Sequence, residues 1–275
     1  MSEYKTIHGI HVQALDTDPS NLGSGQVWYN TTSNQLKITA VSTSGAWATG
    51  GNMGTGRNSL AGAGTQTAGL AFGGGYPVTN ATEHYDGSAW TAGGNLGTAR
   101  WMLAGAGTQT SGLAFGGFNG STYENATEHY DGSAWTAGGN MATARYDMGS
   151  TGTDTAGLGF GGYPKTNNTE HYDGSAWTAG GNMGTARYFL AGAGTQTAGL
   201  GFGGYASPSI TNDTEHYDGS AWTAGGNMAT SRYNLGGAGT QTSGLGFSGY
   251  DGNSITNATE EYAGPGITTQ TVTSS

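Results

Sequence analysis

One nine-residue string, "TEHYDGSAW", stands four times in this chain: at 82–90, 127–135, 169–177 and 214–222. A fifth copy begins at Thr259 and then fails, reading "TEEYAGPGI". Trp47, Trp90, Trp135, Trp177 and Trp222 follow one another at intervals of 43, 45, 42 and 45 residues. A period of this length marks a repeat architecture, in which no unit buries its apolar face alone and neighbours must stack. All five arginines (Arg57, Arg100, Arg145, Arg187, Arg232) fall at one position of the repeat, and Glu83, Glu128, Glu170, Glu215 and Glu260 at another.

The unit that starts at Arg187 reads as four short strands: "FLAGAG" (189–194), "AGLGFGG" (198–204), "TEHYD" (214–218) and "AWTAGG" (221–226). Asp-Gly between the last two is a tight-hairpin signal. Fifty-five glycines leave no stretch in which a helix would survive. Four-stranded units repeated at this spacing predict an all-β chain folded as a five-bladed β-propeller with four-stranded antiparallel blades. The failed fifth copy lacks its last strand. "SGAWATGGNMG" (44–54) is a last strand with no blade in front of it. Trp47 is therefore predicted to take the missing place, so that an N-terminal strand closes the ring and removes its free edges. The chain divides into a leader (1–43), the propeller (44–262, with 44–54 completing the last blade) and a tail (263–275). In the leader, "GQVWYN" (25–30) and "QLKITA" (35–40) flank "TTSN" as a β-hairpin.

A net charge of −10 and three scattered lysines leave no patch for a phosphate backbone, so nucleic acid is excluded as a partner. Without cysteine there are neither disulfides nor thiolate metal sites. The first residues, "MSEYKTIHGIHVQALD", carry no apolar signal core, and no segment approaches the roughly 18 apolar residues of a membrane span. These features predict a soluble product made in the cytoplasm, with no membrane insertion.

The order Arg, small-residue strand, Gly-Gly, Tyr, Trp over 57–262 resembles the kelch repeat, most closely in "FGG", "EHYD" and the tryptophan. These units are shorter and richer in glycine, and the third drifts to "MGSTGTDT" (148–155). The leader "DPSNLGSGQVWYNTTSNQLKI" resembles one found in structural proteins of tailed phages, especially fibre-like proteins of marine phages. The array "SAW…GGN…TAR…AGAGTQTAG…FGG" also resembles phage reading frames. The resemblance implies a virion structural protein, a fibre or appendage component. The leader would then anchor to other virion proteins, or simply cover the ring's seam, and the propeller would be displayed outside the cell after release.

Most repeated polar residues have an architectural reading. His84, His129, His171 and His216 sit on different blades, too far apart to share an ion with bonds of about 2 Å. The arginine and glutamate sets suggest a series of salt bridges. Asn80, Asn125, Asn167, Asn212 and Asn257 fall in sequons that loop geometry explains. One carboxylate per "DGS" turn is too few for calcium. No cofactor, metal site or catalytic constellation is predicted, and the chain is not read as an enzyme. The mouth acids Glu124, Asp147, Asp213 and Asp251 lie on different blades.

The copies are nearly identical except at two places. One is the loop between the second and third strands (75–80, 118–125, 163–167, 205–212, 250–257). The other is the pair after each arginine. Both belong to one face of a propeller, and that face is aromatic: Trp101, Tyr146, Tyr188, Phe189 and Tyr233, with Tyr76, Phe118, Tyr163, Tyr205 and Tyr250 from the loops. These residues are predicted to bind a host-surface glycan or receptor. The alternatives are an architectural decoration of capsid or tail and a lectin unrelated to phage.

Overall fold

The computed structural model describes residues 4–7, 10–19, 27–38, 49–75 and 77–264. It falls into two compact units, 1–49 and 50–275. All described regular structure is β.

The first unit holds β1 (Tyr4–Ile7), β2 (Ile10–Leu15), β3 (Val27–Asn30) and β4 (Gln35–Ile38), hydrogen-bonded in that order. The predicted hairpin is β3–β4, closed at Asn30 and Gln35. Two strands that the sequence pattern did not reveal extend it, and β2 pairs with β3 in parallel. Asp18 knits the β3–β4 pair together. Its carboxylate accepts from Lys37 Nζ (2.6 Å), Asn30 Nδ2 (2.7 Å) and Trp28 Nε1 (3.0 Å). Those bonds, Lys37 foremost, hold its pKa down at about 2.

The second unit is five repeats with a β-propeller-like architecture of repeated antiparallel sheets. Repeat one is β5–β8 (Ala61–Thr65, Ala68–Phe72, Thr82–Tyr85, Trp90–Ala92), and repeat two is β9–β12 (Ala104–Thr108, Ser111–Phe115, Thr127–Tyr130, Trp135–Ala137). Repeat three is β13–β16 (Gly149–Gly152, Gly157–Phe160, Thr169–Tyr172, Trp177–Ala179), and repeat four is β17–β20 (Ala191–Gly194, Gly199–Phe202, Thr214–Tyr217, Trp222–Ala224). Repeat five has three described strands, β21–β23 (Gly236–Gly239, Ser243–Phe247, Thr259–Ala263). The strands are shorter than predicted. In repeat four the first begins at Ala191 rather than 189, because Phe189 takes a left-handed backbone (φ 57°) that ends the extended run. Residues 44–48 of the strand predicted over 44–54, Trp47 among them, lie outside the described residues. Its described end has no strand, but Gly54 N–H donates to Glu83 Oε2 (2.6 Å) as the corresponding amides of later repeats donate to theirs.

Each repeat is pinned by its arginine. Arg145 is fully buried and donates from Nη1 to Gly161 O (2.7 Å) and Asn168 O (2.9 Å), and from Nη2 to Glu170 Oε1 (2.7 Å). Five such ion pairs recur at 2.7–3.1 Å, each inside one repeat. Burial pushes the guanidinium pKa of Arg100, Arg145 and Arg187 down, and the facing glutamates oppose that shift. Successive repeats meet through Phe72, Phe115 and Phe160, which pack on Trp135, Trp177 and Trp222 of the next repeat at 4.7–4.8 Å between ring centroids. Glycines of each repeat's first strand let these layers close up: a Cβ on Gly105 would lie 2.7 Å from Phe72 Cζ and 3.0 Å from Gly62 O.

Candidate functional site

The repeated histidines are structural. His84, His129, His171 and His216 each hydrogen-bond the tyrosine hydroxyl of the following repeat (Tyr130, Tyr172, Tyr217, Tyr262) at 2.5–2.6 Å. Burial depresses the pKa of His171 and His216. The sequon asparagines Asn80, Asn125, Asn167 and Asn212 donate their amides to carbonyls of the segment that leaves the last strand, at 2.7–3.0 Å. The "DGS" aspartates are satisfied within their own turns. Asp86 Oδ1 accepts from Ser88 N, Ser88 Oγ and Ala89 N at 2.7–2.8 Å, which holds its pKa at about 2.

The two variable regions meet. The residue after each arginine forms a β-bridge with the first residue of the variable loop: Trp101 with Phe118, Tyr146 with Tyr163, Tyr188 with Tyr205 and Tyr233 with Tyr250. Aromatic contact then runs from one repeat to the next. Trp101–Phe118 (6.3 Å) leads to Phe118–Tyr146 (6.0 Å), Tyr146–Tyr163 (5.1 Å), Tyr163–Tyr188 (5.4 Å) and Tyr188–Tyr205 (5.4 Å). It continues through Tyr205–Tyr233 (6.3 Å) to Tyr233–Tyr250 (5.4 Å). Phe189 joins it against Tyr188 and Tyr233 at 4.9 and 5.5 Å. Nine of the ten predicted residues thus form one half-buried belt across repeats two to five; Tyr76 lies outside the described residues. Tyr123, which the prediction omitted, stacks on Phe118, Tyr146 and Tyr163 at 5.1–5.8 Å and is 41% exposed. Its position inside the variable loop 118–125 was the available signal. Desolvation, with the neighbouring acidic groups, pushes the Tyr146 hydroxyl up to about 12, and burial also raises Tyr188. The belt presents apolar ring faces together with tyrosine hydroxyls that can donate and accept hydrogen bonds.

Inside the belt lies a cavity of about 420 Å³ that all five repeats line. The second residue after each arginine (Ser59, Met102, Asp147, Phe189, Asn234) faces it, and all five have left-handed backbones with φ 50–57°. The backbone explains the strain. Met102 N–H donates to Ser59 O, Asp147 to Met102, Phe189 to Asp147 and Asn234 to Phe189, at 2.8–3.0 Å, so these turns are strung together. Among the described residues no cluster of histidine, aspartate and glutamate could hold a metal ion. No protein-family model and no curated protein matches this chain.

Proposed function

We propose that the five repeats are the blades of a closed five-bladed, kelch-like propeller, completed by residues 44–54, and that its aromatic face binds glycans on a host surface. The belt carries this reading. Its rings are half-exposed and contiguous over four repeats, and aromatic faces with polar edges suit sugar rings. The backbone beneath it is fastened by buried ion pairs, so the platform is preorganised. The lining of one cavity by all five repeats supports the ring. The wording of the leader and repeats, which resembles tailed-phage structural proteins, makes the protein a non-enzymatic virion component whose leader attaches to other virion proteins. Weak single sites on one ring, multiplied over copies, gain about 10²–10⁴ in avidity.

The test is a glycan array probed with the intact protein and with a Tyr123→Ala/Tyr188→Ala variant. At least one glycan class should bind the intact protein. The variant should lose tenfold or more of that signal while its melting temperature stays within a few degrees. No binding by the intact protein, or equal binding by the variant, would refute the reading; a purely architectural decoration gives the first result.

A further inference from the structure

The five residues at the cavity's rim are equivalent in backbone and position but share no side chain: Ser59, Met102, Asp147, Phe189 and Asn234. Apart from the residue before each of these and the loops between the second and third strands, the repeats are nearly identical, so the variety is concentrated on the face where a ligand would be read. Turn geometry demands the left-handed backbone, which asparagine and aspartate tolerate best, and it does not ask for Phe or Met there. Asp147 is the anomaly. Its Oδ2 is buried and accepts no hydrogen bond. Among the described residues the cavity lining contains no lysine, arginine or histidine to balance it. Burial alone raises its pKa to about 8. The titratable groups that sense its charge are the hydroxyls of Tyr146 and Tyr188, both shifted upward and neutral between pH 6 and 9. A buried carboxylate oxygen with no partner costs free energy that only an incoming donor can recover, and a cationic donor recovers most.

We propose that this cavity binds the free ammonium group of an amino sugar, with the Asp147 carboxylate as its counter-ion. An ammonium group has three N–H donors and no acceptor. The rim offers three acceptors: the Asp147 carboxylate, the Ser59 hydroxyl and the Asn234 amide oxygen. Phe189 and Met102 supply apolar surface for the sugar's C–H face and a ring toward the cation. An N-acetylated sugar brings no charge, so Asp147 has no reason to ionise for it. The site rests on reading this face as glycan-binding, and it makes that reading more specific.

The experiment is calorimetric titration of the full chain with a β-1,4-linked glucosamine oligosaccharide and with its N-acetylated counterpart, alongside carboxyl NMR of Asp147. The free-amine sugar should bind at least tenfold more tightly at neutral pH. Binding should lower the Asp147 pKa by a unit or more and release protons at pH 7. Affinity should weaken as pH falls, because the native carboxyl is then already protonated. Asp147→Asn, which suits the left-handed turn, should remove the preference while preserving the fold. Equal affinities for the two sugars, an unchanged preference in Asp147→Asn, or no binding of the amine would overturn the site. Retained binding of neutral glycans with no amine preference would overturn this inference alone and leave the aromatic face standing.

Discussion

The boundary between repeats two and three and the boundary between repeats five and one are built from the same consensus, yet among the described residues only the first shows the consensus contacts. At the former, Phe115 is wholly buried on Trp177, and Trp177 Nε1 donates to Thr127 Oγ1 (2.8 Å). His129 meets the Tyr172 hydroxyl, and Gly117 N–H donates to Arg145 O (2.9 Å). At the latter, Phe247 is 39% exposed, and Trp90 has no threonine acceptor among the described residues. The string of left-handed turns that runs from Ser59 to Asn234 is not closed by a bond between those two. The sequence at this seam has also departed from its siblings: Glu261 stands at the histidine position and Ser248 at the first glycine of "FGG". Identical repeats therefore do not make identical interfaces. Among the described residues repeats two and three make the Phe–Trp contact with a neighbour on both sides, whereas repeats one and four make it on one.

The largest expected contrast lies in the ion pairs. Glu170 is only 5% exposed beside a fully buried Arg145, whereas Glu260, on the last described sheet, is 25% exposed. Breaking a buried pair leaves an uncompensated charge and costs about 3–5 kcal/mol. Arg232 is as buried as Arg145, but the more exposed Glu260 side chain, once removed, leaves a gap that water can enter. Glu170→Ala should therefore lower the midpoint of denaturant unfolding far more than Glu260→Ala does. Equal losses would mean that the seam is as dry in solution as the interior and that the contrast drawn above is false.

A smaller contrast lies in the indole bonds. Trp177→Phe removes a hydrogen bond to Thr127, worth about 1 kcal/mol, with little change in packing. Trp90→Phe removes none among the described residues. The first should lower the melting temperature by roughly 2–4 °C, the shift that 1 kcal/mol produces in a domain of this size; the second should leave it unchanged. If Trp90→Phe costs as much as Trp177→Phe, the seam mates through Thr259, and the ring is closed as tightly as its interior boundaries.

Most of the architecture was legible because the repeats are redundant. Four copies of "TEHYDGSAW" locate the third and fourth strands, and "FGG" locates the end of the second. The aromatic belt was legible for the opposite reason, since variation against an invariant background singles out a face. What the sequence hid was local and relational. The left-handed turns at Phe189 and Met102 carry no residue signature, because neither residue favours that backbone. Strands β1 and β2 of the first unit are short and have no repeat to reinforce them. The histidine–tyrosine bonds join residues more than 40 positions apart, and only the stacking of repeats brings them together.

The finest probe of the seam is a single Cβ. In repeats one to four the first glycine after the phenylalanine lies so close to the next repeat that a Cβ would sit 2.5–2.7 Å from the carbonyl of Arg100, Arg145, Arg187 or Arg232, a distance real Cβ atoms do not adopt. The following glycine then donates its N–H to that same carbonyl at 2.7–3.0 Å. Repeat five has Ser248 at this position, with φ 61°, and Gly249 N–H makes no such bond to Arg57 among the described residues. The serine Cβ is a wedge: packing as tight as its siblings' would drive it into the Arg57 carbonyl. Ser248→Gly should let the two repeats approach, slow hydrogen exchange at the Gly249 amide and raise stability by about 1 kcal/mol or less, the worth of one backbone hydrogen bond. Unchanged exchange at Gly249 would mean that something other than this methylene keeps repeats five and one apart.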